Sequence, residues 1–317
     1  MTSKKIFIKK LNYNYNGKRL DLALSESVSC YSRSKIKKFI INGLVKINNK
    51  KIINPKKKIF KLENIEIKIK NQKKFIKKKI TFKIIYEDDY LMIIDKPNGL
   101  VIHHGINNLQ GTLLDELINY FPKIVNIPRA GIINRLDKNT TGLLIVAKTL
   151  FTFNCLKLQL NKRKIIRQYK AITVGKINYS GTIKSYILRH KKKRNKMSTN
   201  NHIGRYSITH YSIIKKFKFN TYVKLCLETG RTHQIRVHMS SIHHPLVGDN
   251  LYGKIMNFPK NTPEIFIKKI NKFNRQALHS YLLKFYHPVI LKKMTYISDI
   301  PKDMKNLIRI IKKNDYF

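Results

Sequence analysis

Cysteine is scarce in this chain of 317 residues: there are three, Cys30, Cys155 and Cys226. They are scattered, odd in number and never arranged as CxxC, which excludes a disulfide framework, gives no zinc spacing and fits a reducing compartment. Acidic residues are scarce too, with 17 Asp and Glu against 66 Lys and Arg. No GxGxxG or GxxxxGK(S/T) string occurs, so no nucleotide cradle is indicated and no cofactor is expected. His233, His238, His243 and His244 lie close in sequence but lack an HExxH pattern, a Cys partner or a nearby run of carboxylates. No metal is therefore expected, and these histidines are assigned to packing, helix polarity or phosphate contact. No stretch approaches the ~18 apolar residues of a membrane span. Met1 to Lys10 alternates lysines with single apolar residues instead of forming a signal-peptide core. A cytoplasmic, soluble monomer is expected.

What is present reads as globular. Hydrophobic residues make up 42%, with 13 Gly and 9 Pro, and the length suits two domains, one with a sizeable core. The formal charge of +49 repels itself and persists most easily beside a polyanion, for which nucleic acid is the obvious candidate. Lys, Asn and Ile crowd every segment, as an AT-rich coding sequence would impose. That drift supplies the larger share of the excess; an RNA partner explains why it is tolerated.

The organisation predicted is an N-terminal extension (residues 1–16), a small domain (17–70), a lysine-rich linker (71–80), a larger domain (81–312) and a tail (313–317). In the small domain Arg19 to Leu24 opens a short amphipathic helix. Ser32 caps a second, Ser34 to Ile41, whose Ile36, Phe39 and Ile40 sit at helical spacing. Asn42-Gly43 closes it, and Val45, Ile47, Ile52 and Ile53 form strands around an Asn48-Asn49 turn. Arg33, Lys35, Lys37 and Lys38 line the polar side of the second helix. A charge run is about as often a solvated face, but helix, turn, helix and "NGLVKINNKKI" together resemble the S4 RNA-binding domain. That resemblance implies that these four cations lie along RNA backbone.

The larger domain shows strands at Ile84 to Tyr86, Leu91 to Asp95, Leu143 to Ala147, Arg167 to Val174 and Tyr222 to Leu227. The last places Val223, Leu225 and Leu227 on one face, and Lys224, Cys226 and Glu228 on the other. Helices are predicted at Leu150 to Leu160, Thr232 to Ile242 and after Pro301. Without a βαβ rhythm, the class is α+β with a mainly antiparallel sheet.

The informative stretch runs from Ala130 to Leu144: AGIINRLDKNTTGLL. A lone Asp after an apolar turn is usually a turn former or cap. Here Arg135, Asp137, the Thr-Thr-Gly turn and the following apolar run resemble the "HRLDxxTSGLLxxAK" signature of the RluA-type pseudouridine synthases. Gln168-Tyr169-Lys170-Ala171 with Gly175 is similar to that family's "YxAxxxG" strand. Glu228 to His238 is similar to its "TGRxHQIRVH" string, and His244 to Gly253 to its "HPLxGDxxYG" loop. Leu278-His279 and His287-Pro288 complete the pattern.

The resemblance implies an RNA pseudouridine synthase: an isomerase with an S4-like domain and no cofactor. It places the catalytic aspartate on Asp137, the active-site tyrosine on Tyr169, and on Arg231 an arginine that pairs with the aspartate. Leu246 would line the base pocket, Arg135 would hold the strand vacated by a flipped base, and the basic loop Arg189 to Arg194 would assist it. Asn134 stands where the family usually has His, and is expected to orient its neighbours. "VNIPRAGI", "DKNTTGLL" and "HPLVGDNLYG" are most like members acting on large-subunit ribosomal RNA, free or in a pre-50S particle, at the helix 69 stem-loop. The alternatives are a sister enzyme acting on other uridines of that RNA, or a non-catalytic assembly protein on the same fold.

Overall fold

The computed structural model describes residues 4–8, 15–27, 33–60, 63–69, 82–105, 108, 110–190, 192–193, 195–253 and 262–316. The chain divides into two compact units, Met1–Lys78 and Lys79–Phe317. Ser32 and the linker at 71–80 lie outside the described residues.

The first unit contains β1 (Lys4–Ile8), α1 (Leu20–Ser27), α2 (Arg33–Ile41), β2 (Val45–Ile47), β3 (Lys50–Ile52) and β4 (Ile65–Ile69). Its sheet runs β1-β4-β2-β3, antiparallel throughout. The supposed N-terminal extension thus contributes a strand to this domain. Asn48 and Asn49, both at positive φ, make the tight β2–β3 turn that Asn tolerates better than bulkier residues. Helix α2 ends in a Schellman motif: Leu44 N–H donates to Phe39 C=O, Gly43 N–H donates to Ile40 C=O, and Gly43 takes φ 66. Leu20, Ala23 and Leu24 of α1 pack on Ile36 and Ile40 of α2 and on Val45, Ile65 and Ile67. Asp21 is buried at 2% exposure between Arg19 and Arg33, each donating from Nε and Nη2. Burial alone would raise its carboxyl pKa; the two guanidiniums outweigh that and lower it.

The second unit contains β5 (Lys83–Glu87), β6 (Leu91–Lys96), α3 (Leu113–Tyr120), β7 (Thr141–Ala147), α4 (Leu150–Asn161) and β8 (Ile166–Val174). There follow β9 (Gly181–Arg189), β10 (Met197–Asn200), β11 (Arg205–Lys216), β12 (Asn220–Leu227), α5 (Gln234–Ser241), α6 (Glu264–Asn271), β13 (Leu278–Tyr286), β14 (Lys293–Ile297) and α7 (Lys302–Lys313). Ten strands form one sheet in the order β10-β9-β11-β12-β8-β13-β7-β6-β5, with β14 on β13. All neighbours are antiparallel except β13 and β7. The class is α+β, and each of the five strands expected in this unit is present. Strands β9 to β11, β13 and β14 and helices α3 and α6 were not foreseen. Arg189 ends β9, which pairs with β10; Lys191 and Arg194 of the basic stretch between them lie outside the described residues. The stretch after α7 is packed: Asp315 accepts from the Lys218 amide.

Strand β7 is buried along its whole length, as befits a central strand covered on both faces. Its Gly142 (φ 108) is required, because a Cβ there would stand 2.2 Å from the Ser280 carbonyl on β13. Helix α3 begins with a reciprocal capping box between Thr112 and Asp115. Helix α7 buries Met304, Leu307 and Ile311 against Phe266 and Ile270 of α6 and Ile172 and Val247 behind the sheet.

Candidate active site

Asp137 lies at the tip of a short loop that leads into β7. Ile132 bridges Val146, Ile133 N–H donates to Ile145 C=O, and the Asn134 side chain accepts from Ile145 N–H at 2.9 Å. Asn134 therefore ties the loop to β7 with its own amide oxygen. Thr140 N–H donates to Asp137 C=O and closes the tip. Just upstream, Arg129 and Ala130 both sit in the left-handed region, a strain of order 1 kcal/mol each. Gly131 follows at φ 72, where a Cβ would collide with the Ala147 carbonyl at 2.0 Å.

The partner of Asp137 is Arg236 of α5. Its Nη1 donates to Asp137 Oδ2 at 3.2 Å, while Nε and Nη2 donate to Asp249 at 2.7 and 2.8 Å. Asp249 also accepts from the amides of Leu251 and Tyr252, so its buried charge is satisfied. Burial opposes the charge on Arg236, but the bonds to Asp249 and then Asp137 outweigh it and raise its pKa.

This corrects the pairing expected for Arg231. Its Nη2 reaches only the Tyr206 carbonyl, at 3.5 Å, and its Nε is buried without a hydrogen-bond partner. The reason lies in the start of α5. The helix begins at Gln234, whose side chain accepts from Arg231 N–H and Thr229 Oγ1 and holds the preceding turn. Arg231 is thus fixed in the turn, and Arg236 occupies the inward face of the helix. Thr232 does not cap; the N-cap is His233, in the left-handed region with no side-chain bond.

Tyr169 is 4% exposed on β8. Burial pushes its hydroxyl pKa up, against the influence of Arg167 and of a hydrogen bond with Ser280, so the phenol stays neutral. Leu246 requires a second correction. It is 1% exposed and packed in the core, because its backbone bridges Thr173 of β8. Leu136, Leu227 and Leu278 are instead among the apolar residues that line the cavity.

A cavity of about 580 Å³ opens beside Asp137 and Tyr169, and a second of about 450 Å³ shares Asp137, Arg135, His233 and Arg236 with it. The first is ringed by Arg129, Arg135, Arg163, Arg167 and Arg231 besides Arg236, a field suited to phosphates. Arg135 is exposed at the mouth, its Nη1 3.4 Å from Thr232 Oγ1. Among the described residues no group of His, Cys, Asp and Glu could hold a metal ion. Among them, too, no helix is long and apolar enough to cross a membrane.

Several functional residues escaped sequence reasoning. Arg236 and Asp249 lay inside motifs already singled out, but nothing in their spacing showed them as partners. Lys96, without exposed surface, donates to the carbonyls of Pro97, Leu100 and Lys138 and so pins the residue after Asp137. Burial pushes its ammonium pKa down to about 7, against the pull of Asp137. His233 and Tyr252 complete the surroundings of the carboxylate.

In the small domain, Arg33 is half exposed and donates to Asp21 from Nε and Nη2. Lys37 and Lys38 are exposed. The side chain of Lys35 lies outside the described residues.

A carboxylate fixed by one arginine, beside a buried tyrosine and within a ring of further arginines, defines a class: an enzyme that works on a nucleotide of a nucleic acid. Comparison with known proteins makes this specific. The model of the RNA pseudouridylate synthase family matches residues 90–241, and that of the S4 domain residues 18–59. Ribosomal large subunit pseudouridine synthase D of Escherichia coli (strain K12) is 44% identical over 301 residues, 94% of this chain and 92% of that one. The protein of the same name from Buchnera aphidicola subsp. Schizaphis graminum (strain Sg) is 46% identical over 304 residues, covering 94% and 96%. The solved structure of Human RNA Pseudouridylate Synthase Domain Containing 4 shares the fold at TM-score 0.57 and 22% identity, over 72% of this chain and 92% of that one. The chain belongs to the RNA pseudouridine synthase family and is an isomerase.

Proposed function

We propose that this enzyme converts specific uridines of large-subunit ribosomal RNA, free or in a pre-50S particle, to pseudouridine in the cytoplasm, acting as a monomer at the helix 69 stem-loop. The observation that carries the reading is Asp137, held by Arg236 at 3.2 Å where two cavities meet. Support for the substrate comes from the relatives that cover nearly the whole chain, whose names carry it.

The target base leaves its stack at a cost of a few kcal/mol, least in a loop where pairing is absent. The exposed Arg129 and Arg135 hold the vacated strand by its phosphates. The uracil enters beside Tyr169, whose ring stacks on it. Asp137 acts on the ribose, at C1′ or C2′, while the N1–C1′ bond breaks. The base then turns, C5 bonds to C1′, the C5 proton passes to solvent and N1 takes up a proton, so the product is an isomer with no net gain or loss. With its pKa raised, the Tyr169 phenol is a poor receiver of that proton as phenolate, so stacking is its main role. Arg236 holds the carboxylate in register through its Nη1 bond to Oδ2.

Incubation of the enzyme with total RNA near physiological salt, followed by carbodiimide-primer-extension mapping, tests the proposal. New pseudouridines confined to the helix 69 stem-loop are expected. Modification at other large-subunit uridines would establish the sister specificity, and no modification at all would establish a non-catalytic binder.

A further inference from the structure

Asp137 offers two oxygens, and Arg236 takes only Oδ2. Facing Oδ1 is Nε2 of His233, 4.0 Å away. His233 holds a left-handed backbone, φ 56 and ψ 18, at the head of α5, a conformation costing of order 1 kcal/mol. In return its ring faces the cavity instead of capping the helix.

The other ring nitrogen shows which way the protons point. Nδ1 of His233 lies 2.8 Å from the Tyr252 hydroxyl. That hydroxyl accepts from the Met197 amide at 2.7 Å, so its own proton is left to donate, and it donates to Nδ1. Burial pushes the Tyr252 pKa up to about 12, which keeps it a donor. Burial also lowers the His233 pKa, with Asp137 opposing, which keeps the ring neutral. A neutral imidazole that accepts at Nδ1 carries its proton on Nε2. The result is an N–H aimed at the one Asp137 oxygen that Arg236 leaves open. The Arg236 guanidinium, 4.9 Å from the Tyr252 ring centroid, holds the middle of the chain in place.

We propose that Met197, Tyr252 and His233 form a proton-ordered chain that fixes the His233 tautomer and positions the Asp137 carboxylate through Oδ1. At 4.0 Å the final contact is longer than a hydrogen bond, and it closes by about 1 Å when a nucleotide seats, as catalytic contacts commonly do. His233 and Tyr252 are thus positioning residues. The proposal rests on Asp137 being the group that acts on the ribose.

The test uses the full chain. Wild type and Asp137→Asn are first compared for tritium release from RNA labelled at uracil C5; an inactive wild type would sink the functional reading itself, separately from the chain. Tyr252→Phe is expected to lower kcat about tenfold, with KM and RNA affinity within about twofold of wild type, since a misplaced catalytic group is felt in the chemical step. His233→Gln, whose amide still presents an N–H, should retain more activity than His233→Ala. In the double variant His233→Ala with Tyr252→Phe the losses should not multiply, because the chain is already broken. Side-chain ¹⁵N NMR should show the Nε2–H tautomer in wild type and a mixture in Tyr252→Phe, a readout that needs no activity. An Nδ1–H tautomer in wild type, multiplying losses, or wild-type kcat in Tyr252→Phe would each overturn the proposal.

Discussion

Asp249 grips Arg236 with both carboxylate oxygens, at 2.7 Å to Nε and 2.8 Å to Nη2, and leaves only Nη1 to reach Asp137. The arginine is therefore aimed before any RNA arrives. Arg236→Lys keeps one charge but cannot serve two carboxylates in a fork. Its kcat should fall at least ~10²-fold, the scale of a catalytic group displaced by about 1 Å. Arg231→Lys, which breaks no contact to Asp137, should stay within about tenfold of wild type. Tritium release checks both, and the reverse ranking would restore Arg231 as the partner.

Asp137→Asn keeps the shape and removes the charge that acts on the ribose. Turnover should vanish while RNA affinity stays within about threefold, because phosphate contacts supply most of the binding. Filter binding beside tritium release separates the two quantities, and more than a trace of turnover would contradict the assignment.

In the small domain, Lys37 and Lys38 are exposed while Arg33 holds Asp21. Lys37→Ala with Lys38→Ala should reduce the slope of log affinity against log salt by about 2, one phosphate for each lysine. Arg33→Ala should leave that slope nearly unchanged and instead lower the stability of the domain. A salt titration of RNA binding, with thermal unfolding of each variant, distinguishes these outcomes.

His238 is wholly buried between Thr209 and Ser185 hydroxyls, and burial pushes its pKa down to about 4. The unfolded chain takes up a proton near pH 6.5 where the folded protein does not. Stability is therefore held above about pH 6.5 and lost as pH falls toward about 4. Between pH 7 and 5 this one group should cost about 2 kcal/mol; His103, likewise pushed down to about 4, adds in the same direction. Urea unfolding of wild type and His238→Gln at both pH values should show a shallower loss in the variant. Equal losses would assign the acid sensitivity elsewhere.

The sequence exposed the parts of the site that carry their own local punctuation. Asp137, before a Thr-Thr-Gly turn and an apolar run, and Tyr169, in a Tyr-Lys-Ala string, were legible through their resemblance to family motifs and not through pattern alone. Arg231 and Arg236 could not be told apart. Both follow the same glycine turn, and only the helix phase, set by Gln234 bonding back to Arg231 and Thr229, decides which faces inward. Asp249 reaches Arg236 by tertiary folding alone. Strands β9 to β11 were hidden because polar residues such as Ser207 and Thr209 are buried while Tyr206 and Ile214 are exposed, which blurs the alternation that marks a strand. The Arg19–Asp21–Arg33 cluster joins two helices, which no one-dimensional pattern shows.

Strand β13 has one more consequence. It lies between β7, which follows Asp137, and β8, which carries Tyr169, and it pairs with β7 through residues 138 positions apart. Until β13 is inserted, the two halves of the cleft have no shared wall, and Leu278 and Ser280 are missing from it. Such long-range pairing forms late in folding. A chain still being synthesised therefore carries its aspartate, tyrosine and arginine for some time without being an enzyme. The cleft is complete only once β13 stands between β7 and β8.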